Sequence, residues 1–192
     1  MKLLTAMFLM FSLSTAFAAE MSKEEMMKKM QEASTPGEQH KVLEQLVGEW
    51  NHTSKFWETA DGKPEESKGT SSMKMVLGGR YLQQDVKGKA MGMDFNGMGL
   101  MGFDNIKKEY QSLWVDSMST SMMKGTGSFN ASTKTFEEKG VFSCPMTESK
   151  TAEYRTEWKI VDKNTNIFSM YGKGPTGKGK EFKMMEMTYK RK

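Results

Sequence analysis

Few side chains in this sequence can carry chemistry: two histidines (His40, His52), one cysteine (Cys144), 24 carboxylates and 21 methionines among 192 residues. One cysteine excludes an internal disulfide framework, a CxxC redox pair and a cysteine-built zinc site. Two histidines exclude a three-imidazole zinc centre. Cys144 stands before Pro145 in Ser143-Cys-Pro-Met146, which reads as a turn. A nucleophilic thiol needs an activating base, and both histidines are distant in sequence. Cys144 is therefore expected as a surface or half-buried thiol, able to pair between chains under oxidising conditions. Gly172-x-x-x-x-Gly177-Lys178 imitates a phosphate-binding loop but fails as one. Gly179 stands where Ser or Thr must hold Mg²⁺, and no helix is expected to follow. Asn51-His52-Thr53 and Asn130-Ala131-Ser132 match the glycosylation pattern and matter only in a glycosylating host. No Ser/His/Asp order, paired-carboxylate motif or metal-ligand cluster stands out, so no catalytic residue, metal or cofactor is expected.

Side-chain parity is more informative. On an extended segment alternate residues share a face, so Trp50, His52, Ser54 and Phe56 point together. Tyr110, Trp114, Asp116 and Met118 do likewise, and Tyr154 and Trp158 form a further stripe. If these faces point inward, they enclose an aromatic and thioether cavity containing a carboxylate. The candidate ligand-binding residues are then Trp50, His52, Phe56, Tyr110, Trp114, Asp116, Met118, Tyr154 and Trp158. Such a cavity suits a small hydrophobic or amphipathic molecule oriented by a few polar groups. Two other readings of Asp116 stay open: a buried pair with Arg155 or Arg80, or the acting group of an enzyme of unknown reaction. The methionine groups Met73-x-Met75, Met91-x-Met93, Met122-Met123 and Met184-Met185-x-Met187 offer soft thioethers for Cu(I). The same spacing places paired side chains on one strand face, as core packing or cavity lining requires, and neither histidine lies beside them. Lining is the expected role and copper binding the alternative.

Lysine and arginine total 28 against 24 acids, but the signs are interleaved: Lys28-Lys29 and Lys107-Lys108 are flanked by Glu24, Glu25 and Glu109. A nucleic-acid binder would show a basic stripe with aromatics, so none is expected. Lys2, the apolar run Leu3–Leu13 and Ala16-Phe17-Ala18 make residues 1–18 a secretory signal peptide, cleaved after Ala18. A periplasmic or secreted location follows, without stable membrane insertion after cleavage.

The elements that must position these residues divide at position 48. A helical segment is expected over 19–47 and a β domain over 48–192. Ser22-Lys-Glu-Glu25 is a capping box ahead of the stripe Met26, Met27, Met30. Thr35-Pro36-Gly37-Glu38 reads as a second box, leading Val42, Leu43, Leu46 and Val47 to a stop at Gly48. His40 falls in that helix as a solvated or half-buried residue. Strands are expected near 49–59, 67–77, 80–90, 94–103, 108–117, 122–130, 134–143, 151–161, 165–173 and 181–190. Turn chemistry such as Ala60-Asp-Gly62, Asp162-Lys-Asn164 and Gly174-Pro-Thr-Gly177 separates them. This predicts a mainly β protein, an antiparallel up-and-down barrel of about ten strands preceded by one or two short helices. A two-sheet sandwich is the alternative.

Leu46-Val-Gly-Glu-Trp50, with Gly-x-Trp at the entry to a first strand, resembles the opening of calycin barrels (lipocalins and fatty-acid-binding proteins). Thr35–Lys41, Leu77-Gly-Gly-Arg-Tyr-Leu82, Gly97–Asn105, Trp114-Val-Asp-Ser-Met118 and Phe182–Arg191 resemble the uncharacterised DUF1579 family over essentially residues 24–192. The resemblance implies the barrel and a bacterial source, and it implies no activity. Haem-binding calycins hold iron with a histidine near the C-terminus. This sequence has no histidine after His52, so haem is not expected.

Overall fold

A computed structural model describes residues 21–174 and 179–192. The expected signal segment, residues 1–18, lies outside the described residues, as do Pro175 to Lys178 of the last hairpin and of the phosphate-loop look-alike.

Two helices, α1 (Lys23–Ser34) and α2 (Glu38–Glu44), lead into ten strands. These are β1 (Gly48–Phe56), β2 (Glu65–Val76), β3 (Tyr81–Ala90), β4 (Met93–Asp104) and β5 (Glu109–Asp116), then β6 (Met123–Asn130), β7 (Thr135–Ser143), β8 (Thr151–Asp162), β9 (Thr165–Gly172) and β10 (Phe182–Arg191). Every strand pairs antiparallel with its sequence neighbours, and β1 also pairs with β10, closing the barrel. Closure satisfies the backbone groups that an open sheet would leave at its edges and excludes the sandwich. Strand ends fall within three residues of the expected ones because turn chemistry marks them.

The pairing fixes which residues face inward. Trp50 stands opposite Ser71, and His52 opposite Gly69; Gly97 stands opposite Asp116, and Gly99 opposite Trp114. Glu138 stands opposite Thr156, and Gly140 opposite Tyr154. The outer faces are charged. On β8, Arg155 pairs with Glu157 and Glu181 and lies 3.7 Å over the Tyr171 ring.

The helices differ from expectation in two respects. The Ser22 capping box forms, but the stripe behind it covers nothing: Met26, Met27 and Met30 are each half or more exposed. Thr35 does not open α2. It terminates α1, donating its hydroxyl to the Gln31 carbonyl at 2.7 Å, while Gly37 caps α2 and donates its N–H to His40 Nδ1 at 3.1 Å. Pro36 prevents one continuous helix, since it lacks the N–H that the α-helical ladder needs. Packed edge-on against Phe103 at 6.0 Å, His40 is buried, and burial lowers its pKa.

Candidate functional site

The barrel has one sealed and one open end. At the sealed end α2 lies against β2, β3 and β4. Leu43 and Leu46 are fully buried there, each contributing roughly 1.5–3 kcal/mol of apolar burial. Trp50 donates Nε1–H to the Leu46 carbonyl at 2.9 Å, and Tyr110 donates its hydroxyl to the Gln39 carbonyl at 2.8 Å. Behind them Phe103, Tyr110, Phe136 and Phe129 form a run of ring contacts at 4.6–5.0 Å. Arg191, opposite Trp50 and on the same face, closes this end, its guanidinium 4.1 Å over the Trp50 ring and donating to the carbonyls of Val47, Gln45 and Lys163.

The middle of the interior is polar. Gln84 Nε2 donates to the hydroxyls of Ser71, at 3.2 Å, and Tyr189, at 3.0 Å. Tyr189 stacks on Trp158 at 6.0 Å and touches His52 at 5.6 Å, while Trp158 donates to Asn166 Oδ1 at 2.6 Å. The His52 ring lies on a glycine floor. A Cβ at Gly69 would stand 2.5 Å from its Nε2, so no larger residue fits there. Burial holds the His52 pKa down at about 4.

Toward β5–β8, Ser112 donates to Glu138 Oε2 at 2.8 Å. Gly125 leaves room beside this pair: its missing Cβ would lie 2.8 Å from Ser112 Oγ, 3.2 Å from Tyr154 Oη and 3.3 Å from Glu138 Oε2. Burial raises the Glu138 pKa against the lowering effect of the Ser112 hydrogen bond. Burial, with the Glu138 charge behind it, pushes Tyr154 up to about 12. Among the described residues, three buried polar side-chain atoms make no hydrogen bond: His52 Nδ1, Glu138 Oε1 and Asn166 Nδ2.

At the open end Trp114 lies across Gly97 and Gly99, where a Cβ would stand 2.2 Å and 3.1 Å from its indole carbons. Phe95 stacks on it at 6.3 Å. Asp116 accepts from Trp114 Nε1 at 2.8 Å and from the Met118 N–H at 2.9 Å. Neither Arg155 nor Arg80 pairs with it, since Arg155 serves Glu157 and Glu181 outside and Arg80 donates to Leu77 O. Thioethers crown this rim: Met91, Met93, Met118, Met122 and Met146, in the turns and strand ends at this end, are all exposed. Cys144, at the start of the β7–β8 turn, is buried rather than at the surface.

The nine sequence-selected residues thus occupy four places. Trp50 and Tyr110 seal one end; His52 and Trp158 flank Tyr189 in the middle; Tyr154 joins Glu138; Trp114, Asp116, Phe56 and Met118 belong to the mouth. Sequence reading missed the Ser112–Glu138 pair. The signal was present: Phe136, Glu138, Gly140 and Phe142 share parity, which places a carboxylate among inward residues. No group of three or more His, Cys, Asp or Glu could hold a metal ion among the described residues. None of their helices is long and apolar enough to cross a membrane.

The architecture is that of a closed antiparallel barrel with one plugged end. The DUF1579 family, described as proteins of unknown function, matches residues 35–191, and the chain belongs to it. The crystal structure of Rv2717c from M. tuberculosis is similar in fold, with a TM-score of 0.54 at 12% sequence identity, covering 82% of this chain and 99% of that one. No curated protein matches.

Proposed function

We propose that this protein is an exported binding barrel, taking a small hydrophobic or amphipathic molecule through the open end without chemical turnover. One observation carries the reading. Phe95, Trp114, Phe168, Met170 and Met185 point into a closed barrel yet are only half-buried, so apolar surface lines a space reachable from outside. Apolar side chains that line accessible space inside a scaffold are the usual wall of a ligand pocket. Glycines at 97, 99, 125 and 140 let Trp114 and Tyr154 lie flat against the wall rather than across the interior, while the sealed end is filled by its own aromatic side chains. The charged outer wall supports a barrel working in water rather than in lipid, where the outer band is apolar.

Native mass spectrometry and an absorption spectrum of protein purified from its host without denaturant are expected to reveal a co-purifying organic molecule. The same spectra give the N-terminus, expected at Ala19 after export. Bare protein that also fails to enhance the fluorescence of N-phenyl-1-naphthylamine, a neutral apolar probe, would overturn the binding reading.

A further inference from the structure

Resting on that reading, we infer that the interior site selects a ligand carrying a protonated amine, held by Glu138, and discriminates against carboxylates such as fatty acids. Among the described residues, strand pairing turns Glu138, Asp116 and, at the exposed rim opposite Phe56, Glu65 toward the inside. The inward cation, Arg191, lies at the sealed end on Trp50, held by backbone carbonyls. A carboxylate ligand would therefore enter without a positive partner, and burying an unpaired ion is costly. Asp116 is already occupied by Trp114 and by the Met118 N–H.

Glu138 differs. It is 8% exposed, its Oε2 accepts from Ser112, and its Oε1 has no partner. Gly125 lets Ser112 and Tyr154 close in beside the Glu138 carboxylate, and Tyr154, with Phe142 at 6.1 Å, supplies aromatic surface nearby. An ammonium group placed there satisfies the orphan oxygen with a charge-assisted hydrogen bond. It also gains from the faces of neighbouring rings. The alkyl part then extends toward Trp114 and Phe95.

Three ligands of one chain length isolate the head group: dodecylamine, dodecanol and dodecanoic acid, each used below its micelle or solubility limit to displace N-phenyl-1-naphthylamine. The amine is expected to bind at least tenfold more tightly than the acid. In Glu138→Gln, nearly the same shape without the charge, the amine should fall to the level of the alcohol while the alcohol changes less than twofold. An acid that binds as tightly as the amine in the native protein overturns the inference while leaving interior binding intact. So does a Glu138→Gln variant that leaves the amine unchanged. Failure of the probe and all three ligands overturns the binding reading and this inference together. The native selectivity series does not depend on how the variant folds.

Discussion

His52 shows what the interior asks of a single residue. Its ring lies where only glycines can adjoin it, and burial holds its pKa near 4, against about 6.5 in an unfolded chain. Below pH 6.5 the unfolded chain takes up a proton that the folded one refuses until about pH 4. Stability from this group is therefore complete above pH 6.5 and is lost as the pH falls. Between pH 6.5 and 5 the loss amounts to roughly 1.5 kcal/mol. Urea denaturation at the two pH values should show that difference in the native protein relative to His52→Gln. Equal slopes in both would remove His52 from the account. At this scale sequence reading worked through parity, which turned His52, Trp114 and Tyr154 inward. It could not show that Asp116 spends both oxygens on its own neighbours, because a two-residue reach to an indole depends on rotamers that no spacing encodes. It also passed over Glu138, since an acid between Glu137 and Lys139 reads as part of a charged, solvated run.

Among the elements, the strands were legible and the helices only partly so. Strand ends coincide with Gly, Asn and Asp turns because those residues accept the backbone angles that turns demand. The Met26–Met27–Met30 stripe carried the right period for a buried face, yet period states amphipathicity and not which surface is available to cover it. What holds α1 is its end. Asn105, from the β4–β5 turn, donates its amide to the carbonyls of Glu32, Ala33 and Thr35, capping groups that a helix terminus leaves open. Replacing Asn105 by Ala should detach α1 while leaving the barrel intact, at a cost of about 1 kcal/mol. Hydrogen exchange would then show faster exchange across residues 23–34, with strand amides unchanged. Uniform loss of protection through the barrel would mean that α1 is integral to it.

At the scale of the molecule, the ring of strands makes the fold insensitive to which single surface turn is altered, but not to loss of a whole strand. Deleting residues 182–192 would strip partners from β1 and β9 at once, and exposed edges recruit other chains. Size-exclusion chromatography is expected to find that truncated protein as aggregate, whereas a monomeric product would show that nine strands can close alone. The seam between β1 and β10 also imposes an order of events. Every other pairing joins strands made one after the other, while Trp50 must wait for Arg191. A chain emerging from the ribosome N-terminus first therefore remains an unlatched ribbon for nearly its whole synthesis, and the barrel takes its final form only when its last strand arrives.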